Sequence, residues 1–261
     1  LKPERTRSYE LGIDANFFTD LSLKLTLYQS NTLNQTFSAG LPSSSGYSSV
    51  YVQSGDIRNR GIELAIGYDH KWNDIRFGAH YTLTCNQNRV MRLADGVINP
   101  YTGDPIEMPE LGVGGFGNTD ASIILRTGGS TGDVYASNVI ARDLNGYIFN
   151  DPKTGLAVKS VEKFKIGSIL PKANMGLTLD LGWKGINLGM TFTARIGGIV
   201  ISETQANLDR YGVSEDSAIA RDNGGVSINS GLVSAQNYYQ TIASIVTHYT
   251  YSATNVRLGE L

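Results

Sequence analysis

The stretch MGLTLDLGWKGINLGMTFTARIGG, residues 175–198, decides the fold. Met175, Leu177, Leu179, Leu181 and Trp183 share one parity, and Gly176, Thr178, Asp180 and Gly182 hold the other. Beyond Lys184-Gly185 the alternation resumes: Ile186, Leu188, Met190, Phe192, Ala194 and Ile196 against Asn187, Gly189, Thr191, Thr193 and Arg195. A period of two sends successive side chains to opposite faces, so it predicts two strands joined by a tight turn, each with one apolar face. In a soluble sheet that face is buried in a protein core. In a membrane barrel it meets lipid.

The same pattern recurs along the chain. Tyr9, Leu11, Ile13, Ala15 and Phe17 alternate with polar or small residues, and beyond Thr19-Asp20 so do Leu21, Leu23, Leu25 and Leu27. Ile62, Leu64, Ile66 and Tyr68 precede a turn placed at 69–73, and Ile75, Phe77, Ala79, Tyr81 and Leu83 follow it. Each run is close to the ~9–11 residues a tilted strand needs to cross a bilayer. Short connections are read at 19–20, 69–73 and 184–185, and long polar, Gly/Ser/Asn/Tyr-rich ones near 31–56, 86–170 and 198–250. Compact soluble domains rarely carry several structureless loops beyond ~15 residues. Outer-membrane barrels combine short periplasmic turns with long external loops. Trp72 and Trp183 flank short turns, where an aromatic girdle marks the periplasmic interface. The competing β-sandwich explains the alternation, but it calls for shorter loops and more charge on the outer faces.

Composition narrows the classes further. The 261 residues carry a net charge of -2, which argues against a nucleic-acid partner. Hydrophobic residues make up 41% and mean hydropathy is -0.16, values a barrel shares with soluble proteins because only alternate strand residues are apolar. The single Cys85 leaves no intrachain disulfide or thiolate cluster, and no run of ~18 apolar residues suggests a membrane helix. The chain opens on LKPERTRSYE without an initiator Met or signal peptide and stops in a strand-like run, so we expect a fragment.

Several phrases resemble, in order, the C-terminal half of the barrel in SusC/RagA-type TonB-dependent outer-membrane transporters. They are LKPERTRSYELGID, SGDIRNRGIEL, KIGSILPKANMGLTLDLGWKGINL, TARIGG and YSATNVRLGEL, together with ANLDRYGVSEDSAIARDNGG. The resemblance implies an all-β fold: part of a 22-stranded antiparallel transmembrane β-barrel, about seven strands of which fall in this chain. Residues 1–261 would be a C-terminal barrel portion, with the plug domain, first strands and last strand pair absent. It also implies the outer membrane of a Gram-negative bacterium, a SusD-like surface lipoprotein as lid, and coupling to TonB through a segment outside this chain. The cargo would be an oligosaccharide or peptide, imported actively. A passive porin-like channel and a soluble β-rich binding or adhesion module remain alternatives.

No catalytic set, cofactor or metal site emerges from the sequence. GVGGFG at 112–117 matches G-x-G-x-x-G but has neither a buried strand before it nor a helix after it, so an external loop is expected. His70, His80 and His248 lack ligand spacing, and RDLNGYIFND at 142–151 lacks the closing Glu of a calcium loop, leaving an Asx-type turn as its reading. Capping serines predict short helices over 214–222 and 233–244. Tyr47, Tyr51, Tyr101, Phe116, Tyr135 and Tyr147 are substrate-contact candidates, because sugar rings stack on aromatic faces and peptide backbones bond Tyr hydroxyls. Arg126 is a candidate cation for an acidic substrate, with a structural ion pair as its competing role. Leu177, Leu179, Leu188, Met190 and Phe192 are expected to face outer-membrane lipid.

Overall fold

The computed structural model describes residues 3–40, 46, 48–93, 110–117, 119–144, 146, 148–149, 151, 157–228 and 231–261. In chain order come β1 (Arg5–Phe17), β2 (Leu21–Gly40), β3 (Ser49–Trp72), β4 (Ile75–Arg92), β5 (Glu110–Gly115), β6 (Ser122–Arg126), β7 (Asp133–Ile140) and β8 (Lys159–Ser168). Then follow β9 (Ala173–Trp183), β10 (Ile186–Ile196), β11 (Ile199–Ile201), α1 (Glu203–Arg210), α2 (Glu215–Asp222), β12 (Val226–Ile228) and β13 (Gly231–Val233). The chain ends with α3 (Ala235–Ile242), a 3-10 turn at Val246–Tyr249, β14 (Thr250–Ser252) and β15 (Asn255–Glu260).

The expected strands form one seven-stranded antiparallel sheet in the order β1-β2-β3-β4-β9-β10-β15. Its register aligns the apolar parities of every strand. One cross-strand row reads Ile13–Leu25–Leu64–Leu83–Met175–Ala194–Val256, and the next reads Ala15–Leu23–Ile66–Tyr81–Leu177–Phe192–Leu258. Leu179 pairs with Ala79 and Met190, and Leu188 with Leu181. Trp72, Ile75, Trp183 and Ile186 close the band beside the short hairpins. From Trp72 to Ile62, at ~3.3 Å per residue, the band runs about 33 Å along the strand. A tilt of ~40° leaves about 25 Å, the height of a lipid-facing band.

Nothing covers this face among the described residues. Leu11 is 69% exposed, Ile186 66% and Val256 71%. Apart from Ala173, no residue of the apolar rows is buried. The buried apolar residues lie beyond the band instead. A sandwich would bury these rows against a second sheet. The sheet is therefore a barrel wall, open between β1 and β15 in this chain.

Three expectations need correction. The turn read at 69–73 is strand up to Trp72, and the hairpin is Asn73-Asp74, with Asn73 at φ 47. Asn tolerates the left-handed backbone that a two-residue hairpin demands, as does Gly185 (φ 93) after Lys184 (φ 45). The segment 31–56 is largely strand, since β2 and β3 run on past the band to Gly40 and from Ser49. The segment 86–170 holds the end of β4 and a four-stranded sheet in the order β5-β6-β7-β8. The last segment carries the two expected helices as α2 and α3, capped by Ser214 and Ser234, and an unexpected one in α1, capped by Ser202.

Candidate functional site at the outer mouth

The face opposite the apolar rows is polar along its whole height. Its rows include Asp14–Lys24–Ala65–Thr82–Gly176–Thr193–Arg257 and Asn16–Ser22–Gly67–His80–Thr178–Thr191. Near its upper end Tyr28 lies across Gly61. A Cβ at Gly61 would sit 2.6 Å from the Tyr28 hydroxyl and 2.3 Å from the Cys85 carbonyl, so a side chain there is excluded. The Tyr28 hydroxyl reaches Asn86 Oδ1 at 3.2 Å. Asn86 and Asn88 both donate to Asn59 Oδ1, at 3.2 and 3.0 Å.

At this level β4 and β9 part. Their pairing stops at Thr84↔Asn174, while β4 continues to Arg92. The freed edge of β4 takes up the β6–β7 turn: Gly128 N–H donates to the Val90 carbonyl and Val90 N–H to the Gly129 carbonyl, both at 2.8 Å. Asn88 Oδ1 accepts from the Thr131 amide at 2.8 Å and from its hydroxyl at 2.9 Å. Between wall and turn lies a cleft of about 810 Å³, lined by Tyr28, Thr84, Asn86, Asn88, Ser130, Ser168, Lys172 and Asn174 among others. That volume and its convergent hydroxyls and amides suit a sizeable polar ligand.

The outer elements form their own water-excluding core. Val90, Leu93, Leu111 and Leu125 pack together with Phe37 and Ile123. Ala121, Val134, Ala136 and Val246 form a second cluster with Phe116, Phe164 and Ile166. Asp120 ties the four-stranded sheet to the last segment, accepting from the backbone N–H of Ser137 (3.1 Å), Asn138 (2.6 Å) and Val246 (2.9 Å). Buried Asp209 on α1 accepts from the Tyr249 hydroxyl at 2.8 Å. Burial first, then this bond to the carboxylate, pushes the Tyr249 phenol far above its ordinary range.

The candidate residues named from sequence fall in several places. Arg126 spans Glu110 Oε2 with Nε (3.0 Å) and Nη2 (2.7 Å), and lies 4.4 Å over the Tyr135 ring. Lys163 joins the same carboxylate, and first that bond, then the Arg126 one, hold Glu110 below the usual carboxylate range. Tyr135 is 6% exposed and Phe116 packs in the second cluster, so both rings fill the outer core. Tyr51 is exposed on β3. Tyr47, Tyr101 and Tyr147 lie outside the described residues. GVGGFG falls mostly in β5, with no helix after it. Within RDLNGYIFND, Gly146 N–H donates to the Asp143 carbonyl at 3.0 Å and Arg142 pairs with Ile148. The cleft residues Tyr28, Asn86 and Asn88 escaped sequence reading. Their signal was parity, because Tyr28 falls with Ser22, Lys24 and Thr26 on the non-lipid face.

Residues 1–155 match the family model of the TonB dependent receptor-like, beta-barrel domain. The chain belongs to this family. The chain is similar to TonB-dependent receptor P3 of Formosa agariphila, 25% identical over 219 residues, which cover 80% of this chain and 22% of that protein. The fold is also that of a chain in the RagAB peptide transporter, with TM-score 0.65, 20% identity, and coverage of 98% of this chain and 28% of that one. The "open-open" state of the RagAB peptide importer aligns with TM-score 0.64 at 18% identity, covering 99% and 28%. The chain thus spans about a quarter of the length of the relatives it matches. The family is one of receptors and transporters, not of enzymes.

Proposed function

We propose that this chain forms part of the wall and outer mouth of an outer-membrane, TonB-dependent importer of oligomeric nutrients in a Gram-negative bacterium. The observation that carries this reading is an apolar sheet face left uncovered among the described residues, paired with a cleft bearing amides and hydroxyls at one end of its other face. Family membership supports energised uptake, with TonB engaged by a part of the protein outside this chain. The cargo is a peptide or an oligosaccharide, held by the amides and hydroxyls around Tyr28, Asn86 and Asn88. Tyr51, exposed on β3, is a further contact for the cargo. The partner is a SusD-like surface lipoprotein, and exposed Tyr211, Val213 and Ile219 offer it an apolar face.

The test is uptake by cells expressing the full-length protein, given labelled oligopeptides or oligosaccharides with and without a collapsed proton gradient. Gradient-dependent uptake of one cargo class, weakened by Tyr28→Ala and Asn86→Ala, is the expected result. Uptake that survives collapse would mean a passive channel. Co-purification of a surface lipoprotein with the full-length protein tests the partner.

A further inference from the structure

The outward face changes character above the apolar band. The row Leu11–Leu27–Ile62–Cys85 is followed by Tyr9–Gln29–Arg60–Gln87, and then by Arg7–Asn31–Arg58–Arg89, with Arg5 opposite Leu33 beyond. From the short hairpins up to this level, no Asp or Glu stands on the outward parity of β1–β4, β9 or β10. Glu10, Asp14, Glu63 and Asp180 all fall on the other face. Charge is sorted, and sorted by face.

Among the described residues no carboxylate lies within ion-pair distance of Arg7, Arg58, Arg60 or Arg89. Among the described residues Arg60 Nε donates to Gln87 at 2.7 Å, and Arg58 Nε is enclosed without an acceptor. Arg58 stands directly opposite Arg89 in the β3–β4 register. Like charges so placed repel, at a cost in stability unless an anion lies between them. All of these cations are Arg rather than Lys, and the planar guanidinium fork matches phosphate oxygens. From β1 to β4 the row spans three strand gaps of ~4.8 Å, about 14 Å, more than one phosphate fills.

We propose that Arg7, Arg58, Arg60 and Arg89 bind the phosphates of a phosphorylated glycolipid headgroup in the leaflet around the outer mouth. The site lies at headgroup depth, directly above the last apolar row, and its width suits a headgroup with two separated phosphates. The proposal rests on the membrane reading and on the sidedness above.

The experiment uses the full-length protein in phosphatidylcholine nanodiscs, with and without diphosphoryl lipid A, and native mass spectrometry to count retained lipid A. Wild type should retain lipid A, and added salt should weaken retention. The variant Arg7→Gln/Arg58→Gln/Arg60→Gln/Arg89→Gln should bind it at least about tenfold more weakly. A variant removing as many cations from the other face and the hairpins, Lys24→Gln/Lys71→Gln/Arg76→Gln/Arg257→Gln, should keep wild-type retention. If the patch variant does not assemble, Arg58→Gln/Arg60→Gln alone should show a partial loss. Insertion with equal retention by wild type and patch variants overturns the proposal and leaves the import reading standing. Equal binding of phosphatidylglycerol overturns the glycolipid assignment. A wild-type protein that fails to enter the bilayer overturns the membrane reading itself.

Discussion

A single residue in this wall is judged by its parity. Leu179 lies midway along the β9 band between Trp183 and Ala173, with Ala79 and Met190 beside it. Its neighbour Thr178 pairs with His80 and Thr191 on the polar face. Leu179→Arg should therefore cost about 2–4 kcal/mol near the bilayer midplane, and Thr178→Arg far less. Urea unfolding of the full-length barrel in lipid checks this, and equal penalties would refute the facing. Glu110 offers a second test at this scale. Lys163 and Arg126 hold its carboxyl below the usual range, so it favours the folded outer sheet above ordinary carboxylate pKa values. That contribution is lost as pH falls through the lowered value. Glu110→Gln should remove the acid sensitivity of hydrogen exchange in β5 and β6 while leaving their exchange at pH 7 faster than in wild type.

At the scale of elements, Asp120 is the bolt between the four-stranded sheet and the 3-10 turn at Val246–Tyr249. Asp120→Ala leaves three backbone N–H groups without their acceptor, at about 1–3 kcal/mol each if they stay buried. Limited proteolysis should then cut the outer segments readily while the barrel band stays protected. The elements also show what alternation can and cannot reveal. Strands were legible where one face is apolar and the other polar, as in Leu177–Trp183. Above the band the outward face of β2 and β3 turns polar while the inner face meets other protein, as at buried Ile57, so Gln29–Thr32 and Gln53–Asn59 carry no alternation although they are strand. In β6 and β7 both faces pack inward, and SIILR and DVYA read as short apolar runs instead. The helix α1 was legible in principle: Ser202 and Gln205 form the S-x-x-Q signature, with Gln205 N–H bonded to Ser202 Oγ at 3.3 Å. Its weak apolar stripe, with only Ala206 and Asp209 buried, hid it. The cleft depended on where β4 and β9 separate, a fact of pairing that no local pattern encodes.

Across the whole molecule, the short hairpins at 18–20, 73–74 and 184–185 share one end, and the packed outer elements share the other. Fully exposed Leu144 belongs to the outer end and Lys184 to the hairpin end. In a Cys85→Ser background, Leu144→Cys should react with a membrane-impermeant thiol reagent on intact cells, and Lys184→Cys only after the outer membrane is opened. Labelling in the reverse pattern would invert the topology. The parting of β4 and β9 has one more consequence. The chain leaves the wall after Arg92 and returns at Ala173, yet Thr84 and Asn174 are paired neighbours across β4 and β9. Everything between departs and re-enters through adjacent doors as an insertion whose ends already meet, packed against Phe37 and Val90 above the membrane band and against Val246 of the last segment. Such a cassette is free to be exchanged or to diverge from one relative to another without disturbing a single register in the membrane, so the cargo a barrel accepts and the barrel itself can evolve on separate clocks.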